Sequence, residues 1–247
     1  MQNDKINLSL IIPIGLMLFS FFFGAGNLIF PPVLGQMAGE NISWGMLGFC
    51  LSGVGFPLLG VLAMAMKQSD NPDSIAMPMH PLYARAVTIL CALAIGPLFA
   101  IPRTAAVSFD TGIHSLLSAS CEAIGLPVYT VFFFVLTYFF SINPSKIIGH
   151  IGKFLSPMLL ICLAVLVVCV FVNPTGSLKM PNPDFAASPF FRGFQEGYNT
   201  MDLLAAILFG SITIKAIEAQ GITDKKVLTK LCSYAGLIAA FFLAIIY

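Results

Sequence analysis

Four titratable residues fall inside apolar stretches, Arg103, Asp110 and His114 in one stretch and Asp202 in another. A charge at the centre of a bilayer costs about 3 kcal/mol or more, so each of these needs a partner or a task. Seven residues separate Arg103 from Asp110 and four separate Asp110 from His114, two helical turns and one, which places all three on one face. Such a row makes a charge network, serving either as an ion pair that locks this helix to a neighbour or as a proton relay or gate. Asp202 is the alternative partner for Arg103. The second kind of chemistry lies in the main chain. In FSFFFGAGNLIFPPVLG, residues 19–35, two glycines at 24 and 26 weaken the helix and Pro31 and Pro32 remove two amide donors. Backbone opened at that point is either a proline kink or a ligand site, because irregular main chain at membrane depth is tolerated only where it is buried or lines a cavity. Asn27 in the break offers an amide oxygen, which suits a hard monovalent cation without burying a full charge; polar packing between helices is its other use. A second break is expected at Gly197-Tyr198-Asn199-Thr200, before Met201 and Asp202. Either Asn199 or Thr200 caps a helix whose dipole favours Asp202, or the main chain opens here too.

The elements that must position these residues are membrane helices. With 58% hydrophobic and only 9% charged residues, the chain falls far outside the range of soluble domains, which carry about a quarter charged residues. Seven apolar segments are expected, at 8–36, 43–66, 85–117, 127–141, 153–172, 190–214 and 228–247. Each is too long and too evenly apolar for the strands of a membrane barrel, so the fold class is all-α. From residue 6 to 35 a helix would extend roughly 45 Å, which puts Gly24 to Asn27 near the bilayer midplane. The N-terminal apolar run is too long for a signal peptide and lacks a cleavage site of small residues, so it is expected to stay as the first span.

Basic residues set the orientation. Lys5, Lys67, Arg85, Lys146, Lys153, Lys215, Lys225, Lys226 and Lys230 gather at one side, whereas the other side has only Lys179 and Arg192. The N-terminus is therefore expected in the cytoplasm. A net charge of +1 with no basic face argues against nucleic acid. The six cysteines have no metal-ligand spacing and are expected to pack within helices, and no Ser-His-Asp arrangement or phosphate loop points to catalysis. Residues 173–189, rich in Pro, Asn and Ser, are expected to form an external loop without helix. Tyr198, Phe22, Phe23 and Phe109 are expected to wall an apolar pocket.

FFFGAGNLIFPPVLG, GPLFAIPRTAAVSFD at 96–110 and EGYNTMDLLAAILFG at 196–210 resemble, in order, the branched-chain amino acid:cation symporter family of bacterial plasma-membrane carriers. In place of Asp110 that family usually has Glu. The spacing Gly-x-Gly-Asn with a following proline is similar to the broken first helix of sodium-coupled carriers built from a five-plus-five inverted repeat. The resemblance implies a polytopic membrane protein with one transmembrane domain, 1–247: a first five-helix repeat at 8–172, an external loop at 173–189 and the start of the second repeat at 190–247. It implies uptake of leucine, isoleucine or valine with Na+ or H+ and no other cofactor. It also implies substrate binding by Gly24, Ala25, Gly26 and Leu28 on one break and Tyr198, Asn199 and Thr200 on the other. Amides from Ala25 to Leu28 would hold the carboxylate, carbonyls near Tyr198 and Asn199 the ammonium, and Asn27 with the carbonyls of Ser20 and Phe23 the cation. Such carriers have about twelve helices, and this chain stops within its seventh. The expectation is a partial chain whose remainder is encoded separately, or else a non-transporting membrane protein that associates with a full-length carrier.

Overall fold

The computed structural model describes residues 8–114, 122–142, 156–172 and 179–247, and among them every regular element is helical. The first apolar segment forms two helices, not one: α1 (Leu8–Phe22) and α2 (Ala25–Ala38). The ladder of α1 ends with the Phe23 N–H on the Phe19 carbonyl at 2.8 Å, after which Gly24 is extended. Pro31 and Pro32 lie inside α2 without ending it. A tight turn at Gly39–Asn41 leads to α3 (Ile42–Cys50), a widened π-type turn at Leu51–Gly55 and α4 (Phe56–Lys67). The third span is α5 (Pro81–Leu93) and α6 (Ala100–Gly112), joined across a kink at Gly96 and Pro97. The span starts earlier than expected because His80 caps α5, its Nδ1 accepting the Leu82 N–H at 3.2 Å. Then come α7 (Glu122–Ser141) and α8 (Ser156–Val172).

The connection expected to lack helix contains a one-turn helix, α9 (Pro183–Ala187), because Pro183 presets the first helical residue and Phe185 finds a buried place. Residues 173–178 lie outside the described residues, as do Lys5, Lys146, Lys153 and Cys121. The sixth segment is again divided, into α10 (Pro189–Tyr198) and α11 (Asp202–Glu218), bent by 43° across the break. The chain closes with α12 (Lys225–Ile246), started by Asp224, whose carboxylate accepts the N–H groups of Lys226 and Val227. Among the described residues four helices are long and apolar enough to cross a membrane, five when α10 and α11 count as one span; α1 and α8 are shorter apolar helices.

The two halves of the bent span lie against the second segment. Along the α10–α3 seam the side chains are replaced by glycine: a Cβ at Gly193 would strike the Gly45 carbonyl, one at Gly48 the Phe190 carbonyl, and one at Gly197 the Phe49 carbonyl and Ser52 Oγ. This is the close approach that small residues permit between membrane helices. The α11–α4 seam repeats the device, with Gly60 against Ala206 and Gly210 against Met64. The larger core lies among α1, α4, α11 and α12 and is filled by Phe19, Leu18, Val61, Met64, Ile214, Ile217, Leu231 and Leu243. By contrast α7 and α8 expose Phe132, Phe139, Phe140 and Phe171, the distribution expected of surfaces solvated by lipid. Cys162 and Cys169 are exposed on α8 and Cys50 and Cys91 are half-buried; only Cys232 among the described cysteines is buried, so the packing role expected of them holds for that one alone.

Candidate functional site

At the first break the Gly24 N–H leaves the helical ladder and donates to the Asn27 side-chain oxygen at 3.1 Å, while the Asn27 N–H returns to the Gly24 carbonyl at 3.1 Å. Asn27 thereby caps α2 from inside it. Its carboxamide nitrogen is committed elsewhere, donating to Asp202 Oδ2 at 2.7 Å and to the Tyr247 hydroxyl. Asp202 is buried, 4% exposed, at the first turn of α11, where the helix dipole stabilises an anion. One asparagine thus ties the two broken spans together, 175 residues apart in sequence.

The second break is tight. The N–H groups of Asn199, Thr200 and Met201 close short turns onto Gln195, Gly197 and Tyr198, and the Thr200 hydroxyl donates to the Gly197 carbonyl at 2.8 Å. Met201 adopts the left-handed conformation with φ +68°, which costs a side-chain-bearing residue on the order of 1 kcal/mol and redirects the chain into α11. Arg103, from α6, completes the site. Its Nη1 donates to the Asn199 carbonyl at 2.8 Å and Nη2 to the Thr200 carbonyl at 3.2 Å, and its guanidinium lies 5.4 Å from the Phe30 ring centroid. Gly26 faces this group: a Cβ there would stand 2.8 Å from Arg103 Nη2 and 3.3 Å from Thr200 Cα. The two breaks and the arginine therefore share one location, in which Gly26, Asn27, Thr200 and Asp202 are buried.

Gly24, Gly26, Asn27, Arg103, Asn199, Thr200 and Asp202 are brought together there, and Ala25 is half-buried beside them. Leu28 and Tyr198 are exposed, at 44% and 46%. Ser20 is half-buried in the last turn of α1, and Phe23 is buried in the core. The row Arg103, Asp110, His114 does not form one network of mutual contacts. Asp110 is exposed and forms no ion pair, and His114 lies past the end of α6, its ring 6.1 Å from that of Phe109. The helix stops at Gly112, which ends the register that would have carried the row, and the main-chain carbonyls of Asn199 and Thr200, in the break after α10, claim the guanidinium instead. The four aromatic residues expected to make one wall point to separate neighbours: Phe22 meets Phe209, Phe23 meets Phe19, and Phe109 meets Tyr129.

Tyr247, Phe30 and Ser52 belong to the site's surroundings without a signal in their spacing. The Ser52 hydroxyl, in the widened turn of the second segment, donates to the Phe194 carbonyl at 2.7 Å and holds α10 just before its break. A polar residue in LSGVG between two apolar runs is the one hint the sequence carried of it. Among the described residues no group of three or more His, Cys, Asp or Glu side chains is placed to hold a metal ion.

The sequence pattern described as "Branched-chain amino acid transport protein" matches residues 7–247. The chain is 45% identical, over 246 residues, to the branched-chain amino acid permease BrnQ of Bacillus subtilis, covering 100% of this chain and 56% of that protein. It is 43% identical over 236 residues to the branched-chain amino acid permease BraB of the same organism, covering 96% and 53%. To the branched-chain amino acid permease BrnQ of Escherichia coli K12 it is 39% identical over 237 residues, covering 96% and 53%. The chain thus spans little more than half the length of these relatives. No solved structure matches it.

Proposed function

Because this chain belongs to the branched-chain amino acid transport protein family, we propose that it serves the uptake of leucine, isoleucine or valine across a bacterial plasma membrane in symport with Na+ or H+. The observation that carries the reading is the Asn27–Asp202 hydrogen bond at 2.7 Å, which joins two interrupted spans where their main chains are open. A zwitterion needs amide donors at one end and oxygens at the other, and two half-helix ends meeting each other supply both. In this reading the amides of Ala25, Gly26 and Leu28, next to Gly24, receive the carboxylate, while the Asn27 N–H stays on the Gly24 carbonyl. The carbonyls of Tyr198 and Asn199 and the Thr200 hydroxyl receive the ammonium. Asn27 retains a second lone pair on its side-chain oxygen for a monovalent cation, with the carbonyls of Ser20 and Phe23 as further oxygens. The substrate and ion then occupy one small volume, so each raises the other's affinity and the ion gradient drives the amino acid inward. We also propose that residues 8–172 form the first repeat of a five-plus-five architecture and 190–247 the start of the second, a reading supported by the similar interruption of the first and sixth segments. The charge-rich end, with Lys67, Lys215 and Lys225, faces the cytoplasm.

Radiolabelled leucine binding to the purified chain, followed by uptake into proteoliposomes under imposed Na+ or H+ gradients, tests this. Gradient-driven uptake is the expected result for a chain that transports alone. Saturable binding without uptake favours the second reading, in which the chain works together with a separately encoded half or another carrier chain. Absence of both binding and uptake overturns the proposal.

A further inference from the structure

Arg103 is the one guanidinium in the site, and its partners are unusual for a half-buried arginine. The fork geometry of arginine suits a carboxylate, to which it makes two parallel charge-assisted bonds. Here both terminal nitrogens go to main-chain oxygens, those of Asn199 and Thr200, at 2.8 and 3.2 Å. These carbonyls stand where α10 ends, at the negative pole of its dipole. Main-chain carbonyls grouped at a helix break are the ligands that membrane proteins use for monovalent cations. Asp110, the carboxylate on the same helix, is exposed and plays no part, and Nε is buried without a hydrogen-bond partner. Phe30 lines the other side of the guanidinium and Gly26 leaves room for it. The arrangement is that of a cation in a site, attached to the protein through its own side chain.

We propose that the Arg103 guanidinium is a built-in cation of the second break, filling the position between the Asn199 and Thr200 carbonyls so that no free metal cation is taken up there, while the second lone pair of the Asn199 carbonyl stays open to an ammonium. A guanidinium stays charged at every physiological pH, so this position is filled permanently. The mobile cation of symport is then left to the Asn27 and Asp202 side of the junction. That last step rests on the carrier reading above; the built-in cation itself does not.

Chemical rescue tests it on the full chain in detergent, without any amino acid present. The R103A variant is expected to have a lower thermal midpoint than the parent. Millimolar guanidinium chloride is expected to raise the midpoint of R103A saturably, by about 3 °C or more at ten times its dissociation constant, and to leave the parent unchanged. The same concentration of NaCl serves as the ionic-strength control. Two further variants decide the matter even if R103A fails to fold. R103K keeps the charge and R103Q keeps only neutral donors, so R103K is expected to be the more stable. Equal stability of R103K and R103Q, or a guanidinium effect no larger in R103A than in the parent, overturns the proposal. Leucine binding measured separately on the same preparations reports on the carrier reading, so either idea can fail without the other.

Discussion

Asn27 does two jobs with one carboxamide, and that concentration makes it the most sensitive side chain in the site. It caps α2 through the Gly24 N–H and supplies a donor to a buried carboxylate on a different span. Replacing it by alanine removes both contacts and leaves Asp202 short of a donor, which costs about 1–3 kcal/mol. The N27A variant is therefore expected to lose several degrees of thermal stability and to lose leucine binding at least tenfold, read by thermal denaturation and by radioligand titration. Gly26 is sensitive for a steric reason. A G26V side chain would have to occupy the space of Arg103 Nη2 and the Thr200 backbone, so it is expected to abolish binding. G112A, at a position where a Cβ meets nothing within 4 Å, is expected to bind as the parent does. Binding retained in G26V would show that the junction between the breaks is not where substrate sits. The pair Lys215–Asp70, 3.7 Å apart and well exposed, belongs to the opposite class. K215A is expected to change stability by less than about 1 kcal/mol, since exposed ion pairs are screened by solvent.

At the scale of elements, the interrupted span is held by contacts that only glycine permits. The spacing Gly193-x-x-x-Gly197 puts two bare positions one turn apart on α10, and both press on main chain of the second segment. Leucine at 193 would require α10 to move away from α3 by the width of a side chain, and the break at Asn199 would move with it. G193L is expected to yield a chain that aggregates or runs heterogeneously in size-exclusion chromatography, whereas G112A runs as the parent. The break itself is made by different means in the two spans. In the first, glycines remove the preference for helix and Asn27 captures the freed amide. In the second, Met201 takes up the left-handed turn, and a serine on another helix and an arginine on a third hold the free carbonyls. That difference explains why the first break was recognisable from local residues while the second, though expected, read equally well as a helix cap.

Across the whole molecule the chain has two chemically distinct ends. At one, the Glu40 N–H donates to the Lys179 carbonyl and the Asn182 N–H to the Met37 carbonyl, which joins the first connection to the 179–187 segment. At the other, Gln68 reaches Thr229 and Lys215 reaches Asp70, so the ends of α4 and α11 meet the start of α12. Lys67, Lys215 and Lys225 lie at the second end, the one proposed above to face the cytoplasm. Single cysteines introduced into a cysteine-free chain check the assignment. D184C is expected to react with a membrane-impermeant maleimide on intact cells, and K226C only after permeabilisation. The reverse pattern would invert the orientation.

Composition and hydrophobic run length by themselves determined that this is an all-helical, multi-pass membrane protein, because hydrocarbon admits only helices and closed barrels and these runs are too long and too evenly apolar for barrel strands. Gly24 and Gly26 likewise marked the first opening, since their effect on a helix is local, whereas Pro31 and Pro32 lie inside α2 without opening it. What only the tertiary structure decided is who meets whom. Helical spacing set Arg103 in line with Asp110, yet the arginine bonds to carbonyls on another span. A charged side chain about 6 Å long answers to whatever lies within its reach across a helix interface, and sequence spacing records neighbours on one helix only. The link from Asn27 to Asp202 is of the same kind: it exists because Gly26 lets the first segment come close to Thr200 of the sixth, a three-dimensional fact with no one-dimensional signature.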